Sequence, residues 1–128
     1  KNKILTINDR LIPTLYSCVD GQGIAAFDFH ELCGGARNMN DYIELARIFN
    51  TVLIVGIPRL TASHENQARR FIGLIDEFYD RAVKVLFVAH VKLLDLYQGS
   101  LVEKEFERTR SRITEMQSDD YLSLPHRP

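Results

Sequence analysis

The chain has 128 residues, a net charge of −1 and 26% charged residues, so it is read as one domain with no global field drawing it to nucleic acid or to an anionic membrane. Its 45% hydrophobic content is that of an ordinary soluble globular domain, and no apolar run is long enough to span a bilayer. Only two cysteines occur, Cys18 and Cys33, with no signal peptide and no Asn-x-Ser/Thr acceptor, which favours a reducing compartment over secretion.

Taken in order, Lys3 to Ile7 and Leu11 to Cys18 are short apolar runs around Asn8-Asp9-Arg10, the composition of a β-hairpin turn. Pro13 lacks a donor and puts the second run at a sheet edge. Asp20-Gly21-Gln22-Gly23 is a second turn and Ile24 to Phe29 a third strand, so a β-meander is expected at the N-terminus. His30 to Cys33 reads as one helical turn stopped by Gly34-Gly35. A helix capped by Asn38 or Asn40 follows to about Phe49, with Tyr42, Ile43, Ala46 and Phe49 on one face.

The central unit runs from about 51 to 90. Val52 to Ile57 is uncharged and rich in β-branched residues, and Val83 to Ala89 carries only Lys84. Between them Ala68, Phe71, Ile72, Ile75, Phe78, Tyr79 and Ala82 recur at three- and four-residue steps, the period of one helical face. Strand, helix, strand is the reading, with parallel pairing and strands covered on both faces. Ser100 and Glu103 have capping-box spacing and start a C-terminal amphipathic helix over about 101–118. Its apolar stripe, Val102, Phe106, Thr109, Ile113 and Met116, is narrow enough to suggest docking on a surface, so Val102, Phe106, Ile113 and Met116 are the candidate partner-docking residues. The fold class is therefore α/β.

Candidate chemistry is sparse. Phe71 to Glu77 mimics an apolar strand ending in the Asp-Glu of a Walker B motif, but its helical spacing makes Asp76-Glu77 a solvated acidic pair. A phosphate cradle needs Gly-x-x-x-x-Gly-Lys-Ser/Thr, and no Gly-Lys pair occurs anywhere, so these residues alone should not hydrolyse a nucleoside triphosphate. Cys18, His30 and Cys33 match no zinc spacing and lack a fourth ligand, so no metal or catalytic residue is assigned. Eleven of the sixteen basic residues are Arg, which favours planar pairing with carboxylate or phosphate. Arg108, Arg110 and Arg112 form the sharpest group; on a helix Arg108 and Arg112 share a face and Arg110 does not. They either pair along the helix with Glu105, Glu107 and Glu115 or recognise phosphate or a neighbouring subunit's carboxylates. Arg69 and Arg70 are a weaker case of the same kind.

One resemblance runs nearly the whole length, from about Ile4 to Tyr121. It rests on Phe29-His30-Glu31-Leu32-Cys33, Asp41-Tyr42 with Ala46-Arg47 and Phe49, Ile57-Pro58-Arg59-Leu60, Ala68-Arg69-Arg70-Phe71-Ile72, Asp76-Glu77-Phe78-Tyr79-Asp80, Phe106-Glu107-Arg108-Thr109-Arg110-Ser111-Arg112 and Glu115-Met116-Gln117-Ser118. In order, these resemble the C-terminal third of the ZapE/AFG-like ATPases, AAA-type P-loop enzymes. The resemblance implies ATP and Mg bound by an N-terminal core, this part as scaffold, assembly or nucleotide-sensing region, and a homo-oligomer among its partners. It implies a client at the bacterial division ring or at the mitochondrial inner membrane, hence a cytoplasmic, septum-peripheral location or a mitochondrial one. The alternative is a non-catalytic module that recruits such a client. The missing initiator Met and the strand-like start read as a fragment of something longer. The family commonly has an acid where Gly56 stands. Strand, Pro, helix, strand and an Arg-bearing segment also echo the outline of the family's own Walker B to sensor region.

Overall fold

The computed structural model describes residues 4–128. Strands β1 (Ile4–Ile7) and β2 (Arg10–Pro13) form a hairpin whose turn is Asn8 and Asp9, with φ of 52° and 66°, the left-handed backbone that tight hairpins need and that Asn and Asp tolerate. The antiparallel order expected at the N-terminus is present but divided over two sheets. The run from Leu11 to Cys18 breaks after Pro13. Beyond it Leu15 donates its N–H to the Ala26 carbonyl at 2.8 Å, and β3 (Tyr16–Cys18) pairs with β4 (Ile24–Asp28).

The main sheet has the order β3-β4-β5-β6, with β5 at Thr51–Ile57 and β6 at Lys84–Ala89. β4, β5 and β6 run parallel, with Ala25, Val52 and Val85 in one row and Phe27, Ile54 and Phe87 in the next. The parallel β5–β6 pairing is the one the central unit requires. The connections are helical: α1 (Phe29–Cys33) and α2 (Met39–Ile48) lead from β4 to β5, and α3 (Glu65–Asp80) leads from β5 to β6. α4 (Glu103–Met116) follows β6, and a short α5 (Asp119–Leu122), not foreseen in the sequence, is capped by Ser118. α2 packs on α3 and α3 on α4, making a single helix layer over one face of the sheet.

Local chemistry explains these ends. Asn38 and Asp41 form a reciprocal capping box at the start of α2, and the fully buried Asp41 carboxylate also accepts from Asn8 at 3.3 Å and Arg10 at 3.0 Å, tying the hairpin to the helix. At the end of β5 one extra residue shifts the register between Ile54 and Ile57, so that Ile57 as well as Ile54 is buried. Gly56 makes this possible: its φ is +72°, and a Cβ there would stand 2.9 Å from an Asp28 carboxylate oxygen.

The core lies between sheet and helix layer and is centred on Phe71 of α3. Its ring stacks on Phe106 of α4 at 6.1 Å and meets Phe29 at 5.9 Å and Phe87 of β6 at 6.4 Å. The C-terminal tail straps back across the molecule. The Arg127 N–H donates to the Arg81 carbonyl at 2.8 Å, and His126 Nε2 lies 2.6 Å from the Ala46 carbonyl. Among the described residues no helix is long and apolar enough to cross a membrane.

Candidate functional site

The arginine-bearing helix α4 runs alongside α3 in the same direction. Contacts between the two advance together, from Glu65 with Ser100 through Asp76 with Arg108 and Arg112 to Tyr79 with Glu115. The stripe Val102, Phe106, Ile113 and Met116 is what α4 presents to α3, and all four side chains are buried, as is Thr109. The stripe is thus spent on the chain's own core. Its narrowness reflects one neighbouring helix and the sheet beneath, and these four residues offer no surface to a partner.

The capping box at Ser100 and Glu103 is also replaced. Val102 stands at the N-cap without a side-chain bond. The turn ahead of α4 is held instead by Glu65, whose carboxylate accepts from Tyr97 Oη at 2.7 Å and from the backbone N–H groups of Ser100 and Leu101 at 3.0 and 3.3 Å. Tyr97 Oη in turn accepts from the Val102 N–H at 3.0 Å. These donors, the Tyr97 hydroxyl first, hold the Glu65 carboxyl below the usual carboxylate range. Gly99 makes room, since a Cβ there would collide with the Glu65 carboxylate and Tyr97.

The five arginines divide by what they touch. Arg112 reaches Asp76 at 2.6 Å and lies 4.7 Å over the Tyr79 ring, with 27% of its side chain exposed. Arg110 is the most enclosed of the three at 14%. It donates to the carbonyls of Leu93, Leu94 and Tyr97, lies 5.2 Å over the Phe106 ring and pairs with Glu107 at 3.2 Å. Arg70 donates to the Cys33 carbonyl at the end of α1 at 3.1 Å. These three fasten one part of the chain to another. Arg108 only brushes Asp76, at 3.4 Å, and keeps 57% of its side chain exposed, and Arg69 is exposed on α3. Of the expected glutamate pairings along α4 only Arg110–Glu107 forms among the described residues; Arg108 and Arg112 turn to α3 instead. Asp76 is therefore no solvated acid but the point where two arginines of the next helix converge. Its neighbour Glu77 is largely buried beside Arg81, and that burial raises its carboxyl.

A phosphate would need free N–H groups at a helix start. At three helices the chain's own side chains take them, Asp28 at α1, Asn38 and Asp41 at α2 and Ser118 at α5, while Glu65 takes the Ser100 and Leu101 N–H groups in the turn ahead of α4. Ahead of α3, Thr61 and His64 cap a 3-10 turn over Ala62–His64 reciprocally, and Glu65 stands in the helix's first turn. No Gly-Lys pair stands at any of these helix starts to carry the phosphates of ATP. Among the described residues no three His, Cys, Asp or Glu side chains come together as a metal site. Cys33 is buried and its thiol is pushed up to about 12 by that burial, which makes it inert, while Cys18 is partly exposed on the sheet. Sequence reasoning missed Glu65 and Asp76 as hubs, because their partners lie more than thirty residues away.

Comparison with known proteins identifies the family. The family model described as AFG1-like ATPase matches residues 1–125. The cell division protein ZapE of Escherichia coli K12 is 45% identical over 122 residues, which is 95% of this chain and 32% of that protein. Lactation elevated protein 1 homolog B of Danio rerio is 35% identical over 121 residues, 94% of this chain and 24% of that protein. The chain thus spans a third or less of the length of these curated relatives. No solved structure gives a significant match. With residues 1–125 of 128 covered by the family model, the chain belongs to the AFG1-like ATPase family.

Proposed function

We propose that this chain is the scaffold and assembly part of an AFG1-like AAA-type ATPase, with ATP and magnesium bound by residues outside it. One observation carries the reading: the family model matches residues 1–125, yet no Gly-Lys pair exists in the sequence to hold a phosphate. Its work is then to be a rigid body that presents Arg108 and Arg69 to a neighbouring subunit or to the ATPase core, while Arg70, Arg110 and Arg112 keep that body rigid. The printed name of the bacterial relative supports a setting in cell division, and the family resemblance adds mitochondrial protein quality control as the alternative. A module that recruits clients through the α4 stripe is the weaker reading, since those side chains are buried.

The test uses a polypeptide that also carries the residues its relatives have beyond the match. Arg108→Ala there lowers ATP turnover or oligomer formation several-fold and leaves the melting temperature unchanged. Unaltered turnover and assembly in both Arg108→Ala and Arg69→Ala would overturn the assembly role. Binding of MgATP by the 128-residue chain alone would overturn the reading altogether.

A further inference from the structure

Among the described residues the main sheet has helices on one face only. On the other face Tyr16, Ala26, Leu53 and Leu86 form a continuous row across all four strands, flanked by Cys18, Ile24, Val55 and Val88. Tyr16, Ile24, Leu86 and Val88 are 42%, 50%, 56% and 52% exposed. Charge occurs on this face only at its two ends. Asp28 caps α1, and Lys84 turns away to the carbonyls of Ala82 and Leu124. The hairpin does not cover it, because β1 and β2 pack on α2 and α1. Parallel sheets are as a rule covered on both faces, and a contiguous apolar surface of this kind marks a site of contact.

We propose that this face is covered by one or two amphipathic helices from the part of the AFG1-like polypeptide that lies outside these residues. Size decides between that occupant and a second copy. Four strands of three to seven residues make a face about 15 Å by 20 Å, or about 300 Å² in projection. That matches the footprint of two helices side by side, each about 10 Å across, and even allowing for the greater accessible area of a corrugated face it is smaller than the roughly 800 Å² of accessible surface that each partner gives to a stable free interface. A small apolar face is enough when the partner is tethered, because the linker supplies an effective concentration of about a millimolar. The relatives have the necessary chain, since the matched region is 32% of ZapE. The inference rests on the reading that the ATPase core lies elsewhere in the same polypeptide, and it names where that core docks.

Thiol labelling tests it. In a Cys18→Ser background, where Cys33 stays silent because it is buried, Leu86→Cys reports on the centre of the face and Glu107→Cys on the exposed side of α4. In the 128-residue chain both label at the rate of a free thiol. Joined to the remaining polypeptide, Cys at 86 is slowed at least ten-fold and Cys at 107 is not; Val88→Cys repeats the measurement if the first variant folds poorly. Equal labelling of the face in the short and long polypeptides overturns the proposal. So does protection in the short chain that rises with concentration alongside a dimer in sedimentation, which would put a second copy there. ATP turnover of the long polypeptide is read separately: turnover with an unprotected face removes only this inference, and protection without turnover removes only the assignment of ATPase activity.

Discussion

The two faces of the main sheet are made of the same kinds of residue and live in different surroundings. Phe27, Val52, Ile54 and Val85 are shut in by α2, α3 and α4, while Leu53, Leu86 and Val88, their neighbours along the same strands, look outward. Apolar composition in a strand therefore records which faces are meant to be covered, and the 128 residues cover one of them.

The sharpest way to break this contrast is one truncation on each side. Phe71→Ala removes the ring on which Phe29, Phe87 and Phe106 converge and should cost about 3–5 kcal/mol in urea unfolding, whereas Leu86→Ser should stay within about 0.5 kcal/mol in the 128-residue chain. A loss of several kcal/mol at Leu86 would mean the outer face is already packed. Next in size is Asp41→Ala, expected to cost about 2–3 kcal/mol, since it undoes both the α2 cap and a buried carboxylate's bonds to Arg10 and Asn8; Arg10→Ala should cost less, because Arg10 is 41% exposed. Arg112→Ala should lose about 1 kcal/mol through the Asp76 pair and the Tyr79 ring, and a double-mutant cycle with Asp76→Ala should recover most of it as coupling. Arg108→Ala, outside that tight pair, should leave stability unchanged.

The smallest effect is one of pH. Glu65 titrates lower in the folded chain than in the unfolded one, so its contribution is present above the ordinary carboxylate range and is lost as pH falls through the folded, more acidic value. Glu65→Gln should flatten that acid limb of the stability profile; an unchanged limb would show that the α4 start does not depend on this charge.

Much of the fold was legible in the sequence because it is local. The three- and four-residue steps from Ala68 to Tyr79 gave α3, though Ala82 lies past its end; the apolar runs gave β5 and β6, and Asn38, one of two candidate caps, starts α2. The split after Pro13 was not legible, since sheet membership depends on which strand Leu15 meets. Nor was the candidate site. The spacing of Arg108, Arg110 and Arg112 predicted two faces correctly but could not say that one face holds Asp76 and the other the carbonyls of 93–97. Ser100 and Glu103 had the right spacing for a capping box, but the helix begins after Val102, and the N–H groups of Ser100 and Leu101 go to a carboxylate from another helix.

That carboxylate has a consequence for the order in which the chain acquires structure. Because no side chain caps α4, the turn that leads into it depends on Glu65, and it should form only once α3 and β6 have brought Glu65 beside residues 97–102. α4 is then a late element, docked onto a finished β5–α3–β6 unit. Substitutions at Ser100–Val102 should accordingly hasten unfolding and leave the refolding rate untouched in stopped-flow measurements, and slowed refolding would show that α4 belongs to the nucleus after all.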